Sequence, residues 1–248
     1  MRIAVAGGTG VVGRHTVDAV RAAGHEAVVI TRSLGIDVTT GAGLAAALEG
    51  VDALIDTTNI ETMKASKAEA WNTTATTTMV AAEAAAGVRH HVVLSIVNSD
   101  RVDYGYYLGK RAQESAALAG DVPVTILRST QFHEFPLVLI TRTKGPIVPV
   151  PKMRSQTVAA SDVAQELVRL AQGEPVGRAL DIAGPEVHEM PDLARRLLAH
   201  RGSSRRVVAV PIPGGVGRAM AGGGLLPLGE HTRATLTFEQ WLTGNAQV

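Results

Sequence analysis

The sequence predicts an α/β fold: a doubly wound parallel sheet with helices on both faces and a small C-terminal substrate-binding portion. Three observations predict it. Short apolar runs alternate with helical patterns through the first half of the chain. The runs are continuous rather than alternating, so both faces of each strand are covered. A turn with glycines three residues apart joins the first run to the first helical pattern.

The elements follow in order. Residues 2–6 (RIAVA) read as a buried strand, and 11–23 carry Val12, Val17 and Val20 at helical spacing, stopped by Gly24. Residues 26–31 (EAVVIT) form a second strand, 41–49 a short helix and 53–56 (ALID) a third strand. An Ala/Thr-rich helix spans about 66–86 and ends at Gly87; 90–95 (HHVVLS) is the fourth strand. A helix at about 104–118, stopped by Gly120, leads to a strand at 124–128 (VTILR). Right-handed crossovers between such strands give the doubly wound arrangement.

From about 143 the texture changes. Pro146, Pro149 and Pro151 suit an extended edge segment. Helices at about 161–171 and 191–200 flank a strand at 179–182, and the glycine- and proline-rich stretch 211–229 reads as a mobile loop around a short helix. The chain is therefore divided into a core, 1–142, and a C-terminal portion, 143–248, which partly returns to the sheet over about 158–183.

Composition narrows the function. At 248 residues, 46% hydrophobic and 19% charged, the chain buries a substantial core. Lys+Arg is 24 and Asp+Glu 23, a balance that favours neither nucleic acid nor an anionic membrane as partner. An aromatic content of 3% argues against a base-stacking platform. With Cys 0, thiol nucleophiles, disulfides and cysteine-ligated metals are excluded. No histidine pair shows metal-ligand spacing, so no metal is expected. The opening apolar run stops at its first glycine and no long apolar stretch follows, so a soluble cytoplasmic protein is expected. The oligomeric state is left open.

The sharpest motif is Gly7-Gly8-Thr9-Gly10-Val11-Val12-Gly13. Glycine supplies the backbone freedom of a tight strand-to-helix turn and lets the chain approach a pyrophosphate. The helix N-terminus then offers free N–H groups and a positive dipole to the phosphates. The third glycine lets helix and strand pack closely. The core is thus read as dinucleotide-binding, with Gly7, Thr9, Gly10, Val11, Val12 and Gly13 in the turn. The second strand ends in Thr31-Arg32-Ser33, without the acid that binds an unphosphorylated ribose. A guanidinium and a hydroxyl suit a 2′-phosphate, so NADP(H) is the expected cofactor. Asp37, followed by Val38, is a candidate for the adenine amino group, or else a turn-forming Asp. Asp56, Thr57, Thr58 and Asn59 end the third strand and either line the cofactor or cap the next helix.

A candidate catalytic set follows. Ser95 ends the fourth strand, and Tyr106 and Lys110 stand four residues apart on the next helix, facing the same way. Tyr104 and Tyr107 lack that lysine spacing. A nearby cation and an oxidised nicotinamide would favour phenolate, letting Tyr106 exchange a proton with a carbonyl oxygen. Ser95 would hydrogen-bond the same oxygen.

The segments AVAGGTGVVGRHTV, VVLSIVNSDRVDYGYYLGKRAQE and VTILRSTQFHEF together resemble an atypical short-chain dehydrogenase/reductase of the NmrA-like, NAD(P)-binding group. The resemblance extends over essentially the whole chain and implies a Rossmann sheet. It places Gly7, Gly10 and Gly13 on the pyrophosphate, Arg32 on the 2′-phosphate and Asp37-Val38 by adenine. It puts Ser95, Tyr106 and Lys110 at the reacting centre and Ser129, Thr130, Gln131 and Phe132 by the nicotinamide. The group includes reductases of quinones, azo dyes and phenylpropanoids, and regulators that bind dinucleotide without turnover.

The remaining signals are less specific. His133 is a candidate substrate contact or a structural histidine. Arg195, Arg196, Arg201, Arg205 and Arg206 read as a solvated basic face, and Gly222-Gly223-Gly224 as a lid hinge or a surface loop. The apolar stretch 207–228 suits a hydrophobic carbonyl, quinone or conjugated substrate. The expectation is an NADPH-dependent oxidoreductase acting on such a small molecule. Its alternatives are a non-catalytic NADP(H) sensor and an isomerase or epimerase that retains its cofactor.

Overall fold

The structure, a computed structural model, describes residues 1–244; the end of the expected C-terminal portion, 245–248, lies outside the described residues. In chain order the first elements are β1 (Arg2–Ala6), α1 (Val11–Ala22), β2 (Glu26–Ile30), α2 (Leu44–Ala47), β3 (Ala53–Asp56), α3 (Ala65–Ala86), β4 (His90–Ile96), α4 (Gly105–Leu118) and β5 (Val124–Ser129). They continue as α5 (Phe135–Arg142), β6 (Ile147–Pro151), β7 (Arg154–Ser155), α6 (Ala160–Gln172), β8 (Gly177–Arg178), β9 (Ile182–Ala183) and β10 (His188–Glu189). Last come α7 (Met190–His200), β11 (Arg206–Val210), α8 (Gly214–Ala221), β12 (Thr232–Arg233) and α9 (Phe238–Gly244). The chain forms two units: Met1–Arg128 with Val163–Leu180, and Ser129–Asp162 with Asp181–Val248. The first boundary thus falls at Ser129 rather than at 143.

The first unit is a Rossmann-like parallel sheet flanked by helices, the doubly wound class that the alternation predicts. Its strands run β2-β1-β3-β4-β5, with β8 paired to β5. The β1–β2, β1–β3, β3–β4 and β5–β8 pairings are all parallel. Every residue of β3 is buried, as is β1 beyond Arg2, which is why these strands read as unbroken apolar runs. Leu44 and Leu48 at α2 and Met79 of α3 pack with Ala4, Ala6, Ile30 and Leu54 in one core cluster. Burying each such leucine contributes about 1.5–3 kcal/mol.

The turn between β1 and α1 needs glycine at two positions for different reasons. Gly7 has φ +74°, a left-handed conformation that L side chains rarely adopt. At Gly13 a Cβ would lie 2.1 Å from the Gly7 carbonyl oxygen. The first turn of α1 and the glycine turn are therefore in direct backbone contact.

The second unit holds the elements that the sequence hid. Ser129 pairs in parallel with Ile182 of β9, which in turn pairs with β12. The expected strand at 179–182 begins only at Ile182, with β8 a separate short strand before it. The proline-rich segment is extended as expected, but it pairs: β6 with β11 in parallel and β7 with β10 in antiparallel. α5 was unforeseen; Pro136 in its first turn marks a helix start rather than a break. Arg205 is not solvated surface: its three guanidinium nitrogens donate to the carbonyls of Ile140, Thr143 and Gly145, at 2.9, 2.6 and 2.9 Å. It thereby ties the exit of α5 to the entry of β11. No helix among the described residues is long and apolar enough to cross a membrane.

Gly13→Ala is expected to destabilise the protein by about 1–3 kcal/mol, because no flexible side chain can yield to the new methyl. Chemical denaturation monitored by circular dichroism checks this; an unchanged midpoint would refute the backbone contact.

Candidate functional site

The glycine turn presents an open helix end. No side chain caps α1 and no acid stands in its first turn. Its leading N–H groups and positive dipole are thus available to an anion. Gly7 N–H donates to Ile30 O at 3.0 Å and Gly10 N–H to Gly7 O at 2.9 Å, fixing the turn between β1 and β2. Val12 and Gly13 are buried, whereas Thr9, Gly10 and Val11 are exposed along its outer edge.

Hydroxyls line up where β2 ends. Thr9 Oγ1 lies 3.2 Å from Thr31 Oγ1, which lies 3.4 Å from Ser33 Oγ. Arg32, in the single 3₁₀ turn Arg32–Leu34, is exposed beside them. Asp37 uses Oδ1 locally: Thr39 N–H and Thr39 Oγ1 both donate to it, at 2.8 and 2.6 Å. These bonds, with help from Arg32, hold its carboxyl below the ordinary carboxylate value. The turn-forming reading of Asp37 is thus realised in the structure, and Val38 is half-buried next to it.

The loop after β3 borders the glycine turn: a Cβ at Gly7 would meet the Thr57 carbonyl at 3.0 Å. Thr57, Thr58 and Asn59 are each tied. Thr57 donates to Ala6 O through its N–H at 3.0 Å and its hydroxyl at 2.7 Å. Thr58 N–H donates to Asp56 Oδ1 at 2.8 Å, and Thr58 O accepts from Lys110 Nζ at 3.3 Å. Asn59 Oδ1 accepts the Tyr106 phenol at 2.8 Å. The Thr58 hydroxyl, by contrast, is buried without a hydrogen-bond partner. A buried hydroxyl left unpaired costs about 1–3 kcal/mol, which a bound ligand would recover.

The α4 face corrects three expectations. Tyr106 is not biased toward phenolate: burial pushes its pKa up to about 12, only partly opposed by the Asn59 bond. Lys110 gives its phenol no such help, because the ammonium is turned inward. It donates to Thr58 O, to Leu94 O at 3.1 Å and to Gln113 Oε1 at 2.8 Å. Burial lowers Lys110 to about 8, against the pull of Asp56 and Glu114. Ser95 is buried, and its hydroxyl donates to Glu114 Oε1 at 2.5 Å. It would have to leave that carboxylate to reach a substrate oxygen.

Residues expected by the nicotinamide stand in the second unit. Thr130 Oγ1 donates to Gln156 O at 2.5 Å, and Val158 N–H to Gln131 O at 3.0 Å. Ser129 and Thr130 are buried; Gln131 and Phe132 are half-buried. His133 is a core residue rather than a substrate contact. Its Nδ1 bonds Thr157 Oγ1 at 2.9 Å and its Nε2 bonds Leu236 O at 3.0 Å, leaving neither ring nitrogen open. Phe238 and Trp241 pack around its ring.

Gln113 and Glu114 were missed. A signal existed: Tyr106, Lys110, Gln113 and Glu114 recur at positions i, i+4, i+7 and i+8, one stripe of α4. The residues present fit a dinucleotide: a glycine cradle, an open helix end, a hydroxyl row and an unpaired buried hydroxyl face the same loop cluster.

Comparison with known proteins agrees at that level. Residues 3–124 match the NAD dependent epimerase/dehydratase family. Over those residues the resemblance to an atypical short-chain dehydrogenase/reductase is borne out. MoeE5 in complex with UDP-glucose and NAD is 20% identical, with a TM-score of 0.73, covering 100% of this chain and 98% of that one. A short-chain dehydrogenase/reductase superfamily protein from Agrobacterium tumefaciens with bound NAD is 19% identical, TM-score 0.71, with 99% and 96% covered. An NADPH-dependent quinone oxidoreductase from Escherichia coli is 16% identical, TM-score 0.67, with 98% of each covered. No curated protein shows a significant sequence match to the chain. A nicotinamide dinucleotide is the cofactor class these relations support.

The environment of His133 predicts a pH dependence. Burial lowers its pKa from 6.5 to about 4, so on acidification the unfolded chain takes up the proton first. This contribution to stability is intact above pH 6.5 and is lost as pH falls from 6.5 towards 4, at up to about 1.4 kcal/mol per pH unit. Urea midpoints of wild type and His133→Gln across that window should show a shallower slope in the variant; parallel slopes would refute it.

Proposed function

We propose that the chain is an NADPH-dependent oxidoreductase acting on a small hydrophobic carbonyl, quinone or conjugated substrate. The observation that carries this reading is the position of the Tyr106 phenol, held by Asn59 on the loop that borders the glycine turn. A neutral phenol is the form that a proton donor needs in a reduction.

In this reading the turn at Gly7, Gly10 and Gly13 and the α1 N-terminus hold the pyrophosphate. Arg32, with Thr9 and Ser33, binds the 2′-phosphate by charge-assisted hydrogen bonds; no acid at the end of β2 opposes it. Thr58 gives its unpaired hydroxyl to the bound dinucleotide. When bound, the reduced dinucleotide supplies the hydride. Tyr106 turns its O–H from Asn59 to the acceptor oxygen and gives up the proton, and solvent restores it at this half-buried site. Lys110 acts from behind, on the Thr58 carbonyl. The apolar stretch 207–228 of the sequence favours an apolar acceptor over a sugar phosphate.

A second reading has its own support. Ser95 and Lys110 spend their donors on the protein, which an NmrA-like regulator that binds NADP(H) without turnover would tolerate. An epimerase that retains its cofactor is the third reading, in line with the matched family's description.

Two measurements test the proposal. Arg32→Ala should weaken NADPH roughly tenfold or more in calorimetry while leaving NADH within about twofold; equal wild-type affinities for the two would defeat the NADP assignment. Tyr106→Phe should slow NADPH oxidation with a quinone and ketone panel by about 10²-fold or more. An unchanged rate removes Tyr106 from the chemistry, and tight binding with no wild-type turnover favours the regulator.

A further inference from the structure

We infer that Gln113 is a positioning residue that closes a polar ring and so fixes the loop carrying both Thr58 and the partner of the Tyr106 phenol. The ring has four members. Asp56 Oδ1 accepts from Thr58 N–H at 2.8 Å. Thr58 O accepts from Lys110 Nζ at 3.3 Å. Lys110 Nζ donates to Gln113 Oε1 at 2.8 Å, and Gln113 Nε2 donates to Asp56 Oδ2 at 2.7 Å. Gln113 and Asp56 are wholly buried, and Thr58 and Lys110 nearly so.

Only a primary amide serves at this corner. Its oxygen must face an ammonium and its nitrogen a carboxylate, so the amide has one permitted orientation. A carboxylate at 113 would accept from Lys110 but face Asp56 with a like charge. An aliphatic residue would strip one partner each from Lys110 and Asp56 at full burial. The ring holds the Thr58 unit at its N–H and at its carbonyl, and the next residue is Asn59. Gln113 touches neither phenol nor ligand; it acts through Lys110 and Asp56. The charged groups around it are Asp56 on β3, Lys110 and Glu114 on α4, and His91 on β4, which is itself paired with Glu83 of α3.

The effect on binding rests on the dinucleotide reading above, but the effect on the loop does not. The test therefore measures both, in the full chain: amide exchange at Thr58 without ligand by NMR, and NADPH affinity by calorimetry, each at pH 8 and pH 5. Gln113→Leu should speed Thr58 exchange and weaken NADPH, each by roughly tenfold, beyond any shift in wild type, at both pH values. Gln113→Glu should match it at pH 8 and recover towards wild type at pH 5, where the introduced carboxyl regains a proton to donate to Asp56. Should the leucine variant fail to fold, recovery of the glutamate variant carries the test alone. Exchange and affinity within twofold of wild type in either variant at pH 8, or no recovery at pH 5, overturns the inference. If wild type ignores NADPH while exchange follows the expected pattern, the dinucleotide reading falls and the ring stands.

Discussion

The first unit is organised by the need to partner the charges that α4 buries. Lys110 and Glu114, one turn apart, are nearly wholly removed from solvent, and an unpaired buried charge costs several kcal/mol. Each is met from more than one side. Glu114 accepts from Ser95, from Arg128 through Nε and one terminal nitrogen, and from Arg178. Lys110 is met by two backbone carbonyls and one side-chain amide. Sliding α4 by one residue or rotating it would strand all of these groups together, so the helix has one register. That register sets where Tyr106 stands.

The same accounting explains why a familiar spacing carries unfamiliar chemistry. Four residues between tyrosine and lysine guarantee a shared face, but not a shared target. Here the lysine goes down into the sheet and the phenol out to a loop amide. The serine at the strand end belongs to the glutamate. Backbone geometry is set by the glycine turn and the parallel strands, whereas each side chain's target is set by the partners within its reach. Likeness at 16–20% identity therefore speaks for the fold and leaves the reaction to be argued from the site.

What could be read without coordinates followed from locality. β3 falls at 53–56, where its apolar run lies, and β1 at 2–6, because a strand buried on both faces leaves a contiguous mark. The glycine turn was legible because its constraint is steric and lies within seven residues. The second unit was not. β11 owes its existence to pairing with β6, about sixty residues earlier, and α5 is a short apolar run that periodicity alone cannot assign. Ionisation was the least legible property. The direction of the Tyr106 shift depends on burial, and the engagement of His133 depends on Thr157 and Leu236, far along the chain.

Arg205 shows what such remoteness does to substitution. Its fork reaches three carbonyls that diverge from a plane's edge, and a lysine of equal charge has a single nitrogen to offer them. At this position, then, the shape of the guanidinium does what its charge alone cannot. An exchange that any similarity matrix scores as mild would unpick the corner where a helix hands the chain on to a strand.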